Sequence, residues 1–460
     1  MKFILDKKYI IRGWKNSLYV LINLESGESR HISPLEFQAI SFCDGNTDID
    51  DIFILEPHKV IIRNFLKDDI IHISSDEKIN KNQKYFSYDC SYIKQIHWSI
   101  TRNCNCNCRH CYLSSPDKKY RDMPLDKCFE IIRQIAECGI QKISLTGGEA
   151  LIRPDFWQIV DFILENKIKL SRIYTNGMAI NESLIYNLKL RNIKPEFSIS
   201  FDGIGFHDWL RGIKGAEISA VNAFKILNKN GFSTFSEMCL YKDNAHTIFD
   251  TVNFLTNLGV SGLKINVVSN TGSWMNNKKN HEISTKKAYD AFLRYIPEFF
   301  GLGSPMNLQM AGVFACFKGS RNFFVPAVKC TDDYKASVCE HAKEVLYLSS
   351  EGEVLPCVSI DLAKTNIKKT FITKSNTLKN ILNKSYYLSI INLKIKELLK
   401  KNKTCANCKY CSLCGGGCRA NAVLSGGNYF GIDLQMCEFF KGGYFEKIKE
   451  IAKIGSATVA

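Results

Sequence analysis

Four cysteines crowd into the eight residues Cys104-Asn105-Cys106-Asn107-Cys108-Arg109-His110-Cys111. Taking Cys104, Cys108 and Cys111 gives the spacing C-x3-C-x2-C. Iron–sulfur clusters are normally held by four cysteines. Three thiolates on one tight loop therefore describe a 4Fe–4S site whose fourth iron is open to another ligand. A zinc site or a disulfide knot is the alternative at this point, although zinc ligands are usually paired C-x2-4-C with a second pair downstream.

The elements around this loop are those of a parallel α/β sheet. Strands fit 96–101, 142–145, 170–174, 197–201, 232–240 and 262–267, and amphipathic helices fit near 125–137, 154–165, 182–190, 216–229 and 244–258. Six such units are too few for a closed eight-stranded barrel and enough for a partial (β/α)6 TIM barrel. In that fold the chemistry sits at the C-terminal ends of the strands. The cysteine loop follows the first strand, Thr146-Gly147-Gly148-Glu149 the second, Thr175-Asn176-Gly177 the third, and Ser200-Phe201-Asp202-Gly203 ends the fourth. Four successive strands thus deliver unusual loops to one rim. Gly147 and Gly148 are expected to leave room for a ligand against the backbone, with the Glu149 carboxylate beside them for an amino group.

Before this barrel, residues 1–90 read as a small α+β, winged-helix-like unit. β-rich runs at 9–12 and 17–23 lead through the hairpin turn Glu25-Ser26-Gly27-Glu28 to 30–32, with helices over about 34–44 and 58–67. A polar linker covers 74–84. From about 310 the composition changes: this part holds ten of the nineteen cysteines, with helical periodicity only near 441–453. Three domains are expected, 1–90, 91–310 and a loop-rich cysteine domain over 311–460. No signal-peptide pattern or membrane-length apolar run occurs, so a cytoplasmic protein is expected, where cysteines point to metal or redox chemistry. The net charge of +15 follows an abundance of lysine throughout the chain, without a compact basic, aromatic-interleaved face, so neither nucleic acid nor membrane is expected as a partner.

The cysteine loop, the Gly-Gly-Glu stretch and the run Ser198-Ile199-Ser200-Phe201-Asp202-Gly203 with Arg211-Gly212 together resemble the radical S-adenosylmethionine (SAM) enzymes that modify peptides. The resemblance implies a cluster on Cys104, Cys108 and Cys111, with Gly147, Gly148, Glu149, Asn176, Ser200 and Arg211 around SAM: Ser200 on the ribose, Arg211 on the methionine carboxylate. His207 and Asp208 are read as capping the segment that follows rather than as a proton-transfer pair. Downstream, Cys339 is followed by twelve residues, Gly352, four residues and Cys357, and then by Cys405-x2-Cys408-x5-Cys414-x3-Cys418 and Cys437. This is similar to the SPASM auxiliary-cluster domain. That likeness implies an outer cluster on Cys405, Cys408, Cys414 and Cys437, and an inner one on Cys339, Cys357 and Cys418. The eighth ligand is left open between Cys330, Cys316 and none.

The remaining cysteines, 43, 90, 106, 128, 138, 239 and 411, read mostly as buried small hydrophobes, with Cys239 placed to face the cavity. The first 90 residues resemble the leader-peptide-binding domain related to the pyrroloquinoline-quinone biosynthesis D protein. The implied activity is radical maturation of a ribosomally made precursor peptide bound by its leader, with an electron donor such as flavodoxin or ferredoxin. A cysteine thioether is the favoured product, ahead of a carbon–carbon crosslink, epimerisation or sulfatase-type oxidation. A non-catalytic iron–sulfur carrier or peptide-binding adaptor is the alternative of another class.

Overall fold

The computed structural model describes residues 1–457 apart from 52–53, 76, 115–119, 330–332, 362 and 364. Strands β1 (Lys2–Leu5), β2 (Tyr9–Trp14), β3 (Ser17–Asn23) and β4 (Ser29–His31) are followed by helix α1 (Pro34–Ser41) and strand β5 (Asp44–Asp48). Helix α2 (Glu56–Lys67) and strands β6 (Ile71–Ile73) and β7 (Phe86–Tyr88) complete this part. The strands form two sheets, ordered β5-β1-β6 and β4-β3-β2-β7. Ser33 and Glu36 close a reciprocal capping box on α1, with Pro34 in its first turn. The helix expected to run to about 44 ends at Ser41; Gly45, at φ 84°, lies instead inside β5. Period-two alternation gives β2 and β3 two apolar faces. Ile11 and Leu21 join the core beneath α1 and α2, while Ile10, Trp14, Val20 and Ile22 pack into the core of the following domain. Trp14 is fully buried there, its indole N–H donating to the Cys138 carbonyl at 2.8 Å.

The central segment alternates β8 (Gln95–Ser99), α3 (Leu125–Glu137), β9 (Lys142–Thr146), α4 (Phe156–Glu165), β10 (Lys169–Thr175), α5 (Glu182–Leu190) and β11 (Glu196–Ser200). It continues with α6 (His207–Arg211), α7 (Ala216–Lys229), β12 (Thr234–Leu240), α8 (Ile248–Asn257) and β13 (Gly262–Val267). Next come α9 (Trp274–Asn277), α10 (Thr285–Gly301), β14 (Asn307–Met310), β15 (Phe314–Cys316), β16 (Phe323–Phe324), α11 (Glu340–Glu344), β17 (Val345–Leu348) and β18 (Val354–Leu355). One sheet runs β16-β15-β14-β13-β12-β11-β10-β9-β8-β17-β18. The six expected strands are parallel neighbours within it, β14 and β17 extend the parallel part at either side, and the fold is an α/β partial barrel. The pairing of β17 with β8 joins residues some 250 positions apart (345 with 95), which no local pattern announces.

The sheet curls on itself. Burial, and after it the cations His341, Lys264 and Arg172, push His97 on β8 down to about 3; Lys264 belongs to β13, five strands away along the sheet. Outside the sheet, helices bury one stripe each. In α3 that stripe is Cys128, Ile131, Ile132 and Ile135, spaced three and four apart. Truncating one such isoleucine to alanine costs roughly 2–5 kcal/mol.

After β18 the chain is more helical than its composition implied, with short helices at 378–381, 386–391, 395–401, 403–406, 411–414, 419–426 and 434–441 before a longer one at 444–457. Four to eight residues are too few to show a 3.6-residue repeat, which is why only the last stood out. Among the described residues no helix is long and apolar enough to cross a membrane.

Candidate active site

The cysteine loop hangs between three neighbours, each attached by backbone hydrogen bonds. On one side Gly148 N–H donates to Thr101 O (2.8 Å) and Glu149 N–H to Asn103 O (2.8 Å). On the other, Asn107 N–H donates to Arg211 O (3.1 Å) and Arg109 N–H to Leu210 O (2.9 Å), while Ser273 N–H, just before α9, donates to Cys111 O (2.9 Å). These contacts explain the two glycines differently from expectation. A Cβ on Gly147 would stand 2.4 Å from Thr101 O, and one on Gly148 2.3 Å from Asn103 O. The space beside them is filled by the backbone that enters the cysteine loop.

Cys104, Cys108 and Cys111 are half-exposed at the loop surface, whereas Cys106 is buried. Hydrogen bonding from the Cys106 thiol, reinforced by the Arg211 guanidinium against the opposing effect of burial, brings Cys108 down to about 6. Cys104 is lowered chiefly by the same thiol, and Cys106 N–H also donates to Cys104 Sγ at 3.4 Å. The thiolate is the form that binds metal. Cys106, itself pushed upward by these two neighbours, stays protonated and packs 3.6 Å from Met178 Sδ.

Glu149 is 1% exposed. Its carboxylate accepts from Asn176 N–H (2.7 Å), Thr175 Oγ1 (3.0 Å) and Leu151 N–H (3.1 Å), yet burial still raises it to about 7. Asn176 Nδ2 donates to Asn105 Oδ1 at 2.7 Å and lies 3.9 Å from Cys104 Sγ. Ser200 closes β11, half-buried, opposite Glu237 in the register with β12. Arg211, expected to meet a ligand's carboxylate, already faces one of its own chain. Nε donates to Asp202 Oδ2 (2.8 Å) and Nη2 to Oδ1 (3.2 Å), while Nη1 lies 3.9 Å from Cys108 Sγ.

Asp202, in the strand-end run after β11, is a functional residue that its motif does not single out. It is fully buried, accepts from Cys239 N–H (2.9 Å), and pairs with His207 Nδ1 (2.9 Å). Burial works to raise it, but Arg211 and His207 outweigh that and hold the carboxyl well below the usual range. An acid just past a strand, nine residues before a buried arginine, was the available signal. Asp208 caps α7 as expected, accepting from Gly215 and Glu217 N–H at 2.7 Å each.

The C-terminal cysteines separate into two groups. Cys405, Cys408, Cys414 and Cys437 line one pocket, together with Cys411, Met436 and Phe440. Cys339, Cys357 and Cys418 lie close enough for charge on the first two to disfavour the thiolate of the third, and all three act likewise on buried Tyr429. Gly415, Gly416 and Gly417 all have positive φ (56°, 85°, 76°), the left-handed region that favours glycine, and turn the chain between Cys414 and Cys418 so that each joins a different group. Cys316 lies on β15 with its thiol within 3.3–3.5 Å of the Phe317, Ser320 and Asn322 carbonyls. Cys330 lies outside the described residues. Cys43, Cys90, Cys128, Cys138 and Cys411 are buried, and Cys239 is half-buried beside Asp202. Among the described residues no three His, Cys, Asp or Glu side chains gather as the ligands of a single ion would. A cluster asks less of them, because each thiolate binds its own iron. Soft thiolates on a rim loop and around an apolar pocket fit that group.

A parallel barrel sheet with a thiolate-bearing loop at its strand ends defines a cofactor-dependent α/β enzyme. Residues 98–255 match the radical SAM superfamily; the chain is an enzyme carrying a radical SAM domain, with a 4Fe–4S cluster and SAM as its cofactors. It is similar to the AdoMet-dependent heme synthase of Methanosarcina barkeri, 25% identical over 346 residues, 73% of this chain and 93% of that protein. It is also similar to the antilisterial bacteriocin subtilosin biosynthesis protein AlbA of Bacillus subtilis, 26% identical over 177 residues, 38% of this chain and 39% of that one. Among solved structures, Streptococcus suis SuiB bound to precursor peptide SuiA shares the fold with a TM-score of 0.64 at 16% identity, over 94% of this chain and 98% of that chain.

Proposed function

We propose that the enzyme matures a ribosomally made precursor peptide in the cytoplasm, with residues 1–90 receiving the leader, 91–310 carrying the SAM site and 311–460 holding two auxiliary clusters. The observation that carries this reading is that the fold of a peptide-bound structure extends over nearly the whole chain, the N-terminal two-sheet unit included. The cysteine groups support the auxiliary clusters, with Cys405, Cys408, Cys414 and Cys437 as one ligand set and Cys339, Cys357 and Cys418 as the other. The enzyme's second partner would be an electron donor such as flavodoxin or ferredoxin.

Cys104, Cys108 and Cys111 would hold the cluster, which would supply the electron for reductive cleavage of SAM. The chain's own residues do the rest. Arg211, held by Asp202, keeps a positive charge beside Cys108; Glu149 and Asn176 tie the β9 and β10 loops to the cysteine loop; Gly147 and Gly148 let the backbone entering that loop pack against β9's end. A cysteine thioether is the proposed product, because a chain with spare clusters can take up the electron released on bond formation. The similarity to heme synthases over most of their length favours a second reading, a haem precursor as substrate.

The test is anaerobic reconstitution with SAM, dithionite and either a candidate peptide from a neighbouring small reading frame or a haem precursor. A peptide that loses two hydrogens, with one cysteine no longer alkylatable, supports the first reading. 5′-Deoxyadenosine formed with a haem precursor and never with the peptide would replace it with the second. No 5′-deoxyadenosine from fully loaded protein would leave only a carrier or adaptor.

A further inference from the structure

One lysine ties the two C-terminal cysteine groups together. The Lys329 ammonium donates to Val338 O at 2.6 Å and to Gly417 O at 3.0 Å, and its backbone N–H donates to Leu413 O at 2.8 Å. Each of these carbonyls belongs to the residue immediately before a cysteine: Cys339, Cys418 and Cys414. Cys414 lines the apolar pocket, whereas Cys339 and Cys418 belong to the group around Tyr429. The side chain therefore holds the backbone before two cysteines of the group around Tyr429, and the same residue's backbone N–H holds the residue before Cys414 of the other group. Its stem is accommodated by Gly415, where a Cβ would stand 2.8 Å from Lys329 Cδ. The ammonium is also close enough to all three sulfurs to interact with their charge. The nearby buried Arg419 is committed elsewhere, to the carbonyls of Gly416, Tyr429 and Gly431.

We propose that Lys329 is a cation shared by the two auxiliary clusters. Its ammonium positions two of their ligand cysteines, Cys339 and Cys418, and its charge, which also reaches Cys414, makes both clusters easier to reduce. The inference rests on the ligand assignment proposed above. Its physical basis is that a cluster gains negative charge on reduction, and a fixed positive charge in a partly buried setting stabilises that state. Clusters poised this way are better acceptors for an electron released during catalysis.

The experiment uses the full chain with Cys104, Cys108 and Cys111 all changed to alanine, so that only auxiliary iron contributes. Parent, Lys329→Met and Lys329→Arg are reconstituted anaerobically with iron and sulfide, assayed for iron, and titrated electrochemically with detection by electron paramagnetic resonance. Lys329→Met is expected to move both midpoints to more negative potential by at least a tenfold change in the reduced-to-oxidised ratio, which is 59 mV for a one-electron couple, with Lys329→Arg close to the parent. Unmoved midpoints in Lys329→Met, or a shift in one cluster alone, overturn the inference. If Lys329→Met takes up no auxiliary iron, Lys329→Arg decides: parent-like iron and midpoints support a shared cation, and loss there too overturns it. A parent without auxiliary iron brings down the ligand assignment and this inference together, whereas a loaded parent with insensitive midpoints brings down the inference alone.

Discussion

Replacing Asp202 with asparagine removes one negative charge from a fully buried position and changes almost nothing in shape. Asparagine can still accept from Cys239 N–H, so the loss falls on Arg211, whose guanidinium is also buried and pairs with the Asp202 carboxylate through Nε and Nη2. Removing one member of a buried ion pair costs about 3–5 kcal/mol, because the other charge is left without compensation. At Asp202 the upper part of that range is expected, since His207 loses its carboxylate as well. The assay is urea unfolding of the apo chain under reducing conditions, followed by circular dichroism at pH 7. Arg211→Met added to Asp202→Asn removes the stranded charge, so the double variant should be less destabilised than the sum of the singles, by about 0.5–3 kcal/mol. The sign with pH follows from the depressed native value: the carboxylate's contribution is complete above the unfolded carboxyl's pKa of about 3.9. It disappears as pH falls through the lower native value, so wild type and Asp202→Asn should converge only in acid. If the single variant lies within about 1 kcal/mol of wild type at pH 7, the pair is not what holds this corner of the site, and the reasoning is refuted.

Glu149 gives the opposite pH dependence. Its native pKa is raised from 4.5 to about 7 by burial, so its stabilising protonated form is fully populated below the unfolded value and lost as pH rises through 7. Wild-type stability should therefore fall across that window by roughly 3 kcal/mol, at 1.36 kcal/mol per pKa unit, and Glu149→Gln should flatten the fall in a pH series of unfolding curves. Gly148→Ala must displace the Asn103 carbonyl 2.3 Å from the new Cβ; a cost of about 1–3 kcal/mol and a weakened cluster absorbance on reconstitution are expected, and normal absorbance would contradict the packing role. Cys104→Ala should abolish SAM cleavage while auxiliary iron is retained. Cys106→Ser should preserve cleavage, measured as 5′-deoxyadenosine formed, because Cys106 is outside the proposed ligand set and a hydroxyl can still donate to one of the neighbouring thiolates.

What could be read from the chain beforehand was local in sequence. The cysteine loop, the strand-end motifs and the alternation of strand and helix each fit within a dozen residues, and periodicity places them without knowledge of the partner. Asp208 as a cap belongs to the same class, since its acceptors are satisfied at Gly215 and Glu217. The features that escaped were set by distant neighbours. β17 pairs with β8 across most of the chain, and the glycines of the second strand-end loop are required by Thr101 and Asn103, which arrive from another strand. Arg211 shows the consequence for function. Its residue type and position fit a carboxylate-binding role, and in the structure it binds the carboxylate of Asp202. A guanidinium buried without a partner would be too costly to maintain in the empty enzyme. Asp202 keeps it charged and oriented, with Nη1 3.9 Å from Cys108 Sγ, so the positive charge is held beside the cysteine loop by the chain itself. Preorganisation of that kind depends on a residue that need not touch the ligand, and such residues carry no motif of their own.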